Sequence, residues 1–292
     1  MKVSNKIIAL SIIFSSWGLG NRGMMPFNPQ VQIFEPNQRA MIAWNGSEQI
    51  LLLSTDLHAS DSTMVLEVLP VPGEPEVKKG DLETFRKATE LINRKLQAQQ
   101  PTKGYRTSEG VVVPSGEVTF HAKIGAHDIS VTRLFDAPGF VDWVLNYLRT
   151  RGVDEDIVTP RMRGLIDEYI AEGFEWFVFD VVSLGEATVT SEPLQYRFKT
   201  RKLFYPLKIT STGAGSTSIE LLILTPRLLS RFPGVPIESI ELKHEPVTIT
   251  REELKELNSE MHELMDDCPE VRLRIWQLEG SLKSFDRDLI AH

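Results

Sequence analysis

The sequence predicts an α+β fold, mainly antiparallel sheet with about four helices packed on it. Three observations lead there. Runs rich in β-branched and aromatic residues occur in blocks, helical periodicities occur in separate blocks, and turn residues such as Asn45-Gly46 join neighbouring runs. With 292 residues, 41% of them apolar and 25% charged, the chain has the length and composition of a folded protein with a core of its own. Its formal charge of −8 argues against a nucleic-acid groove, where lysine and arginine must neutralise phosphates.

The elements follow in order. Residues 1–20 read as a secretory signal: Lys2 and Lys6 give a basic start, Ile7 to Phe14 an apolar centre, and Gly18 and Gly20 the small residues before a cut. The apolar stretch is short for a bilayer span, which takes about 20 residues. No cysteine stands at the cut, so a lipoprotein is not expected, and the lone Cys268 rules out an intrachain disulfide. Asp266 and Asp267 beside Cys268 disfavour its thiolate and hence a nucleophilic role. The expectation is an exported protein, free or held at the outer face of the membrane, its signal cleaved or retained.

Two strand-like runs flank Asn45-Gly46, a pair suited to the positive φ of a type I′ turn. The triplet with Ser47 is formally a glycosylation sequon, but the turn explains it. Thr63 to Leu69 is expected to complete a meander, ended by Pro70, Pro72 and Pro75, which cannot donate to a ladder. Asp81 caps a helix whose Leu82, Phe85, Ala88, Ile92 and Leu96 recur at helical spacing. Glu117 to Leu134 reads as a hairpin turning at Gly125-Ala126. Helices follow over Asp136 to Arg151 and after the cap Thr159-Pro160. "FEWFVFDVV" is apolar on both alternating faces, as in a strand covered on both sides. Strands are expected at Leu194–Lys199, Phe204–Thr210, Ser218–Leu224, Ile237–Lys243 and within "VRLRIWQLEG", with a helix starting at the capping box Thr250-x-x-Glu253. The prolines of Leu66–Val77 have P-x-x-P spacing, but between a strand and a helix they read as a stop and a redirection, not as a displayed ligand.

Several of these stretches carry a resemblance. "QRAMIAWNGSEQILLLSTD" and "EVLPVPGEPEV", then "DAPGFVDWVLNYLRTRG", "IDEYIAEGFEWFVFDV" and "PLQYRFKTRKLFYPLKITSTGAG" are similar, in this order, to the bacterial and archaeal family called domain of unknown function 2330. The similarity covers roughly Gln38 to Pro226. It implies an exported protein and carries over no catalytic residue. Some relatives have cysteines after the signal and membrane-anchoring segments, both missing here. The expected division is a signal at 1–20, a family-like domain at 24–230 and a C-terminal β-α-β extension at 231–292 packed on it.

Candidate chemistry is sparse. His121, His127 and Asp128 straddle the expected turn, and imidazole with carboxylate suits zinc or copper, although a solvated pair accounts for them as well. His262-Glu263-Leu264-Met265-Asp266 departs from the zinc-protease pattern by placing Asp where the second histidine belongs; the wet side of a helix explains it. "STGAGSTS" lacks the lysine and following helix of a phosphate loop, and no Gly-x-Ser-x-Gly elbow occurs. Arg197, Lys199 and Arg201, with Lys202, offer a cationic strand face for anionic headgroups or envelope polymers, or simply a wet sheet face. Glu67, Asp180 and Glu220 sit inside apolar runs, where a carboxylate needs a partner or a raised pKa; the sequence does not bring any two together. The leading expectation is an envelope-associated binding or structural protein without a cofactor. The alternative is an extracytoplasmic hydrolase whose site assembles from scattered carboxylates and histidines.

Overall fold

A computed structural model describes residues 23–99, 127–154, 156–213, 215–229 and 231–292. The expected signal, the Gly125-Ala126 turn and His121 lie outside the described residues. The chain opens with β1 (Gly23–Pro26), β2 (Ile33–Phe34), β3 (Asn37–Trp44), β4 (Glu48–Ala59), β5 (Thr63–Val71), β6 (Glu76–Lys79) and helix α1 (Leu82–Gln99). Next come β7 (Asp128–Arg133), α2 (Ala137–Thr150), α3 (Pro160–Ala171), β8 (Trp176–Leu184), β9 (Val189–Thr190), β10 (Leu194–Lys199), β11 (Leu203–Tyr205) and β12 (Ser216–Thr225). The last part holds β13 (Ile240–Leu242), β14 (Val247–Ile249), α4 (Arg251–Leu257), α5 (Ser259–Leu264), β15 (Val271–Ser281) and β16 (Leu289–Ala291). This is the α+β class expected, and its strand pairs are antiparallel except for β3 with β12.

The elements stack in four layers. A ten-stranded sheet has the path β13-β15-β12-β3-β4-β10-β6, with β14 on β15 and β2 and β9 on β4; a four-stranded sheet has the order β1-β5-β8-β7. Helices α1, α4 and α5 cover the outer face of the large sheet through Phe85, Leu91, Leu254, Leu257 and Met261 against Met41, Leu52, Leu222 and Leu273. Helices α2 and α3 cover the small sheet through Phe140, Val144, Leu165 and Tyr169 against Leu66, Val68, Phe177 and Phe179. Between the sheets, Ile42, Leu53, Leu221 and Ile223 meet Leu69, Val71 and Val178. Each such buried aliphatic or aromatic side chain contributes about 1.5–3 kcal/mol of transfer free energy. Strand β8 is therefore covered on both faces, as its unbroken apolar run requires.

The caps are local and legible. Asp81 Oδ1 accepts from Glu83 N at 2.9 Å, Asp136 Oδ1 from Gly139 N at 2.6 Å and Thr159 Oγ1 from Met162 N at 3.1 Å. Thr250 and Glu253 form the reciprocal capping box.

Several expectations need correction; the strand expected at Ile237–Lys243, for one, is a 3₁₀ turn over Ile237–Ser239 followed by β13. The β3–β4 turn is not the type I′ turn centred on Asn45-Gly46: Asn45 N donates to Glu48 O at 3.2 Å, Trp44 pairs with Gln49, and Asn45 Oδ1 accepts from Ser47 N and Glu48 N, both at 2.9 Å. Gly46, at φ +104°, supplies the left-handed residue this turn needs. Strand β5 does not extend a meander, because β3 and β10 already occupy both edges of β4; it crosses to the small sheet instead. The expected strand Phe204–Thr210 stops at Tyr205, since Pro206 has no N–H, and a 3₁₀ turn follows over Lys208–Thr212. Finally, the helix begun at Thr250 is two helices, because Asn258 takes extended backbone (φ −161°, ψ 119°) and caps the second one.

Pro70 does not end the strand as expected: β5 runs on to Val71, with Pro70 paired with Phe177 on β8, beyond the stretch of β5 that pairs with β1, which ends at Val68. Its missing N–H thus falls where β5 has one described neighbour. The chain from Pro72 to Pro75 then passes from the small sheet to β6 at the edge of the large one. Gly73 is needed there: a Cβ would come within 2.6 Å of the Lys199 carbonyl oxygen.

Candidate functional site

Between the sheets the apolar filling is interrupted by a polar layer, and three strands show the same rhythm. Alternate residues on one face read Val65-Glu67-Leu69 on β5, Val178-Asp180-Val182 on β8 and Leu53-Thr55-Leu57 on β4. In each trio one flanking residue belongs to the large apolar cluster and the other to a smaller one around Ile33, Leu57 and Leu184. Side-chain alternation therefore forces Glu67, Asp180 and Thr55 into the seam between the clusters. Register does the rest: Glu67 pairs directly with Asp180, and Thr55 with Gln38. All four are buried, Glu67 at 1% and Asp180 at 2% exposure.

His127 enters this layer from the start of β7. Its Nδ1 lies 2.5 Å from Asp180 Oδ2, and its side chain is 8% exposed. A histidine held by a carboxylate, with a second carboxylate on the neighbouring strand, has the residue types of a general-base pair or of part of a metal site. Among the described residues no group of three metal-ligating side chains assembles. Asp128, grouped with His127 by sequence, faces the other way, as strand neighbours must: its Oδ2 accepts from Tyr147 Oη at 2.7 Å and pairs with Arg151. Burial raises the Tyr147 phenol pKa, and the nearby Asp180 charge adds to it.

A second buried network joins α3 to the chain end. Asp288 Oδ1 accepts from Tyr169 Oη and Lys208 N, both at 2.8 Å, and Tyr169 Oη accepts from Ile209 N at 3.1 Å. Lys208 Nζ reaches Glu172 at 2.7 Å and lies 4.1 Å from the centroid of the Tyr169 ring. Burial pushes the Asp288 carboxyl up to about 6 against the pull of its hydrogen-bond donors, and burial also holds the Tyr169 phenol well above its ordinary value.

The remaining candidates are dispersed. Arg197 is neutralised: Nε and Nη2 donate to Glu48 at 3.0 and 3.1 Å, and Lys78 and Gln195 beside it both reach Glu260. Lys199, Arg201 and Lys202 are exposed at the end of β10 and in the turn after it. Glu220 faces Arg39 at 3.7 Å. In the His262 motif, Glu263 is exposed and Asp266 pairs with Arg251; His262 borders a small cavity of about 50 Å³ with Thr250 and Cys268. Burial, then Asp267, raises the Cys268 thiol pKa, the direction opposite to that of a reactive cysteine. A concavity of about 380 Å³ lies between α1 and α4, lined by Lys87, Arg94, Glu90, Glu253 and Glu256. Sequence reasoning passed over Asp288, Lys208 and Arg274. The first two meet only through tertiary contacts, and Arg274 lies in the run VRLRIWQLEG, which in the sequence reads only as a strand.

A family model described as an uncharacterized protein conserved in bacteria, domain of unknown function 2330, matches residues 20–232. The chain belongs to this family. The polar layer of Glu67, His127 and Asp180 and the turn at Lys199–Lys202 fall inside the span matched by domain of unknown function 2330, whereas Arg274 and Asp288 fall outside it. No curated protein matches the chain. Among solved structures, the crystal structure of baculovirus P35 is similar, with 8% identity over 92% of this chain and 99% of that chain and a TM-score of 0.45.

Proposed function

We propose that the chain is an exported, envelope-associated protein that acts by binding or as a structural element, without catalysis. The observation that carries this reading is the closure of the polar layer. The residues with the chemistry a hydrolase would need are walled between two apolar clusters, with side chains 1 to 8% exposed, and the groove between α1 and α4 lies on the far side of the large sheet. Export is supported by the basic and apolar leader, which the family match leaves almost wholly outside it. The surface proposed for contact is the cationic turn of Lys199, Arg201 and Lys202, which would meet anionic headgroups or envelope polymers.

Tagged full-length protein in a bacterial host tests the location. The expected result is an N-terminus at Asn21 in an extracytoplasmic or membrane fraction; a cytoplasmic protein beginning at Met1 would defeat the reading. The short His127–Asp180 contact, with Glu67 opposite, favours a second reading, an extracytoplasmic hydrolase. Turnover of chromogenic ester, phosphate or glycoside substrates that disappears in H127Q and D180N, with the fold retained, would establish it instead.

A further inference from the structure

We propose that Arg274 and Trp276 form a receptor for a carboxylate carried on an apolar ligand. The proposal goes beyond an envelope role and stands wherever the chain resides. Alternation along β15 puts Val271, Leu273 and Ile275 against the helices, so Arg274 and Trp276 share the opposite face, roughly 7 Å apart along the strand. Arg274 is 1% exposed. Its Nη2 donates to Thr225 Oγ1 at 3.0 Å, while Nε and Nη1 are buried without a protein partner. The indole Nε1 of Trp276 is likewise buried and unpartnered. These groups are donors only, for neither guanidinium nor indole N–H accepts a hydrogen bond. Two such donor groups on one face of the strand describe a place for an anion.

The charge selects the anion. Burial, with the charge of Arg272 added, lowers the Arg274 pKa only to about 10, so the guanidinium stays protonated near neutral pH. Arg272 has its own counter-charge in Glu270 at 3.2 Å, but among the described residues no carboxylate pairs with Arg274. One desolvated positive charge is matched by one negative charge; a phosphate dianion would leave an excess. The planar fork of donors fits a carboxylate.

The surroundings select the rest of the ligand. The Phe232 ring meets Trp276 edge-on at 5.1 Å, and Leu229, Val235 and Ile240 pack into the same cluster. The cover, Pro226–Leu229 and Arg231–Pro236, is held by these apolar contacts and by one hydrogen bond to β12, Thr225 Oγ1 donating to the Arg227 carbonyl oxygen at 2.5 Å. Its backbone hydrogen bonds are internal, as from Val235 N to Phe232 O, with none to the β12–β15 ladder among the described residues. Pro226, Pro233 and Pro236 have no N–H to offer. Such a segment can lift without breaking the sheet, admitting a ligand whose apolar part takes the place of Phe232 and Leu229.

The test uses the full chain with octanoate as probe, read by thermal unfolding and tryptophan fluorescence. Octanoate should raise Tm saturably and change the fluorescence, and octanol, acetate and inorganic phosphate should each bind at least ~10-fold more weakly. R274M should lose ~10–100-fold in octanoate affinity, the scale of a charged hydrogen bond, and be no less stable than the wild type, since it removes a buried uncompensated charge. W276F, which keeps an aromatic ring but removes the indole N–H, should lose about 5-fold, and it decides the matter if R274M does not fold. Absence of a saturable response in the wild type, unchanged octanoate affinity in R274M or W276F, or equal binding of octanol or phosphate would overturn the assignment. None of these readouts depends on fractionation, so failure here and failure of the envelope role are separable.

Discussion

The ten-stranded sheet carries helices on one face and a second sheet on the other, and the two faces bury different chemistry. Against α1, α4 and α5 the filling is aliphatic and aromatic, and charges stand at the rim in pairs such as Lys95–Glu253 at 2.8 Å and Lys78–Glu260 at 3.3 Å. Glu67, Asp180 and Arg274 are all buried on the sheet-facing side. Burying charge opposes folding unless partners compensate, so a face that serves packing alone has no use for it. The inter-sheet side is thus where buried polar groups need partners of their own, as Asp180 has in His127.

The largest expected effect falls on the packing face. Phe85→Ala, at the foot of α1, should cost about 3–5 kcal/mol, read from urea unfolding with unchanged m-value; a loss under ~1 kcal/mol would mean that α1 is no part of the cooperative core. Next is Asp288→Asn. The carboxyl titrates near 6 in the folded chain and near 4 in the unfolded one, so between those pH values the folded state holds the extra proton and stability falls as pH rises. Below about 4 the penalty vanishes; above about 6 it is constant, about 3 kcal/mol for a shift of about two units. Asparagine can still accept from Tyr169 and Lys208 N, so the variant should be more stable than wild type at pH 7.5, with the gap closing toward pH 4 in a Tm-versus-pH series. A gap independent of pH would refute the assignment.

His127→Ala removes a hydrogen bond from the buried Asp180 carboxylate and should cost about 2 kcal/mol. The same readout should move much less for Arg197→Gln at the rim, and equal losses would erase the contrast between the faces. Smallest is Thr250→Ala, which breaks the capping box of α4 for about 1 kcal/mol, measured by chemical denaturation.

What the sequence made legible was local. Asp81, Thr159-Pro160 and Thr250-x-x-Glu253 act within one turn of chain, and their pattern is enough to place them. The apolar alternation of Trp176–Leu184 revealed a strand covered on both sides. The polar layer depends instead on which strands become neighbours. Glu67 and Asp180 were each visible as acids in apolar runs, yet nothing near either one specifies their pairing, and the crossing of β5 between sheets follows from the occupancy of β4's edges. Arg274 was hidden for a related reason: alternating Arg-Leu-Arg-Ile-Trp has the pattern of a wet face, and only a distant segment covers it. Asn258 broke a helix whose apolar stripe remained in phase, which the stripe alone does not disclose.

Strand β15 runs in register with β12 over ten residue pairs, from Ser216–Ser281 to Thr225–Arg272, although the family match ends at residue 232. During synthesis the long edge of β12 stays open until the more than forty residues at 226–270, and then β15 itself, have emerged, and an open apolar edge of that length is a template for pairing between chains. A polypeptide ended at Phe232 would keep that edge for good. The last sixty residues, whatever else they do, act as a built-in chaperone for the sheet they complete.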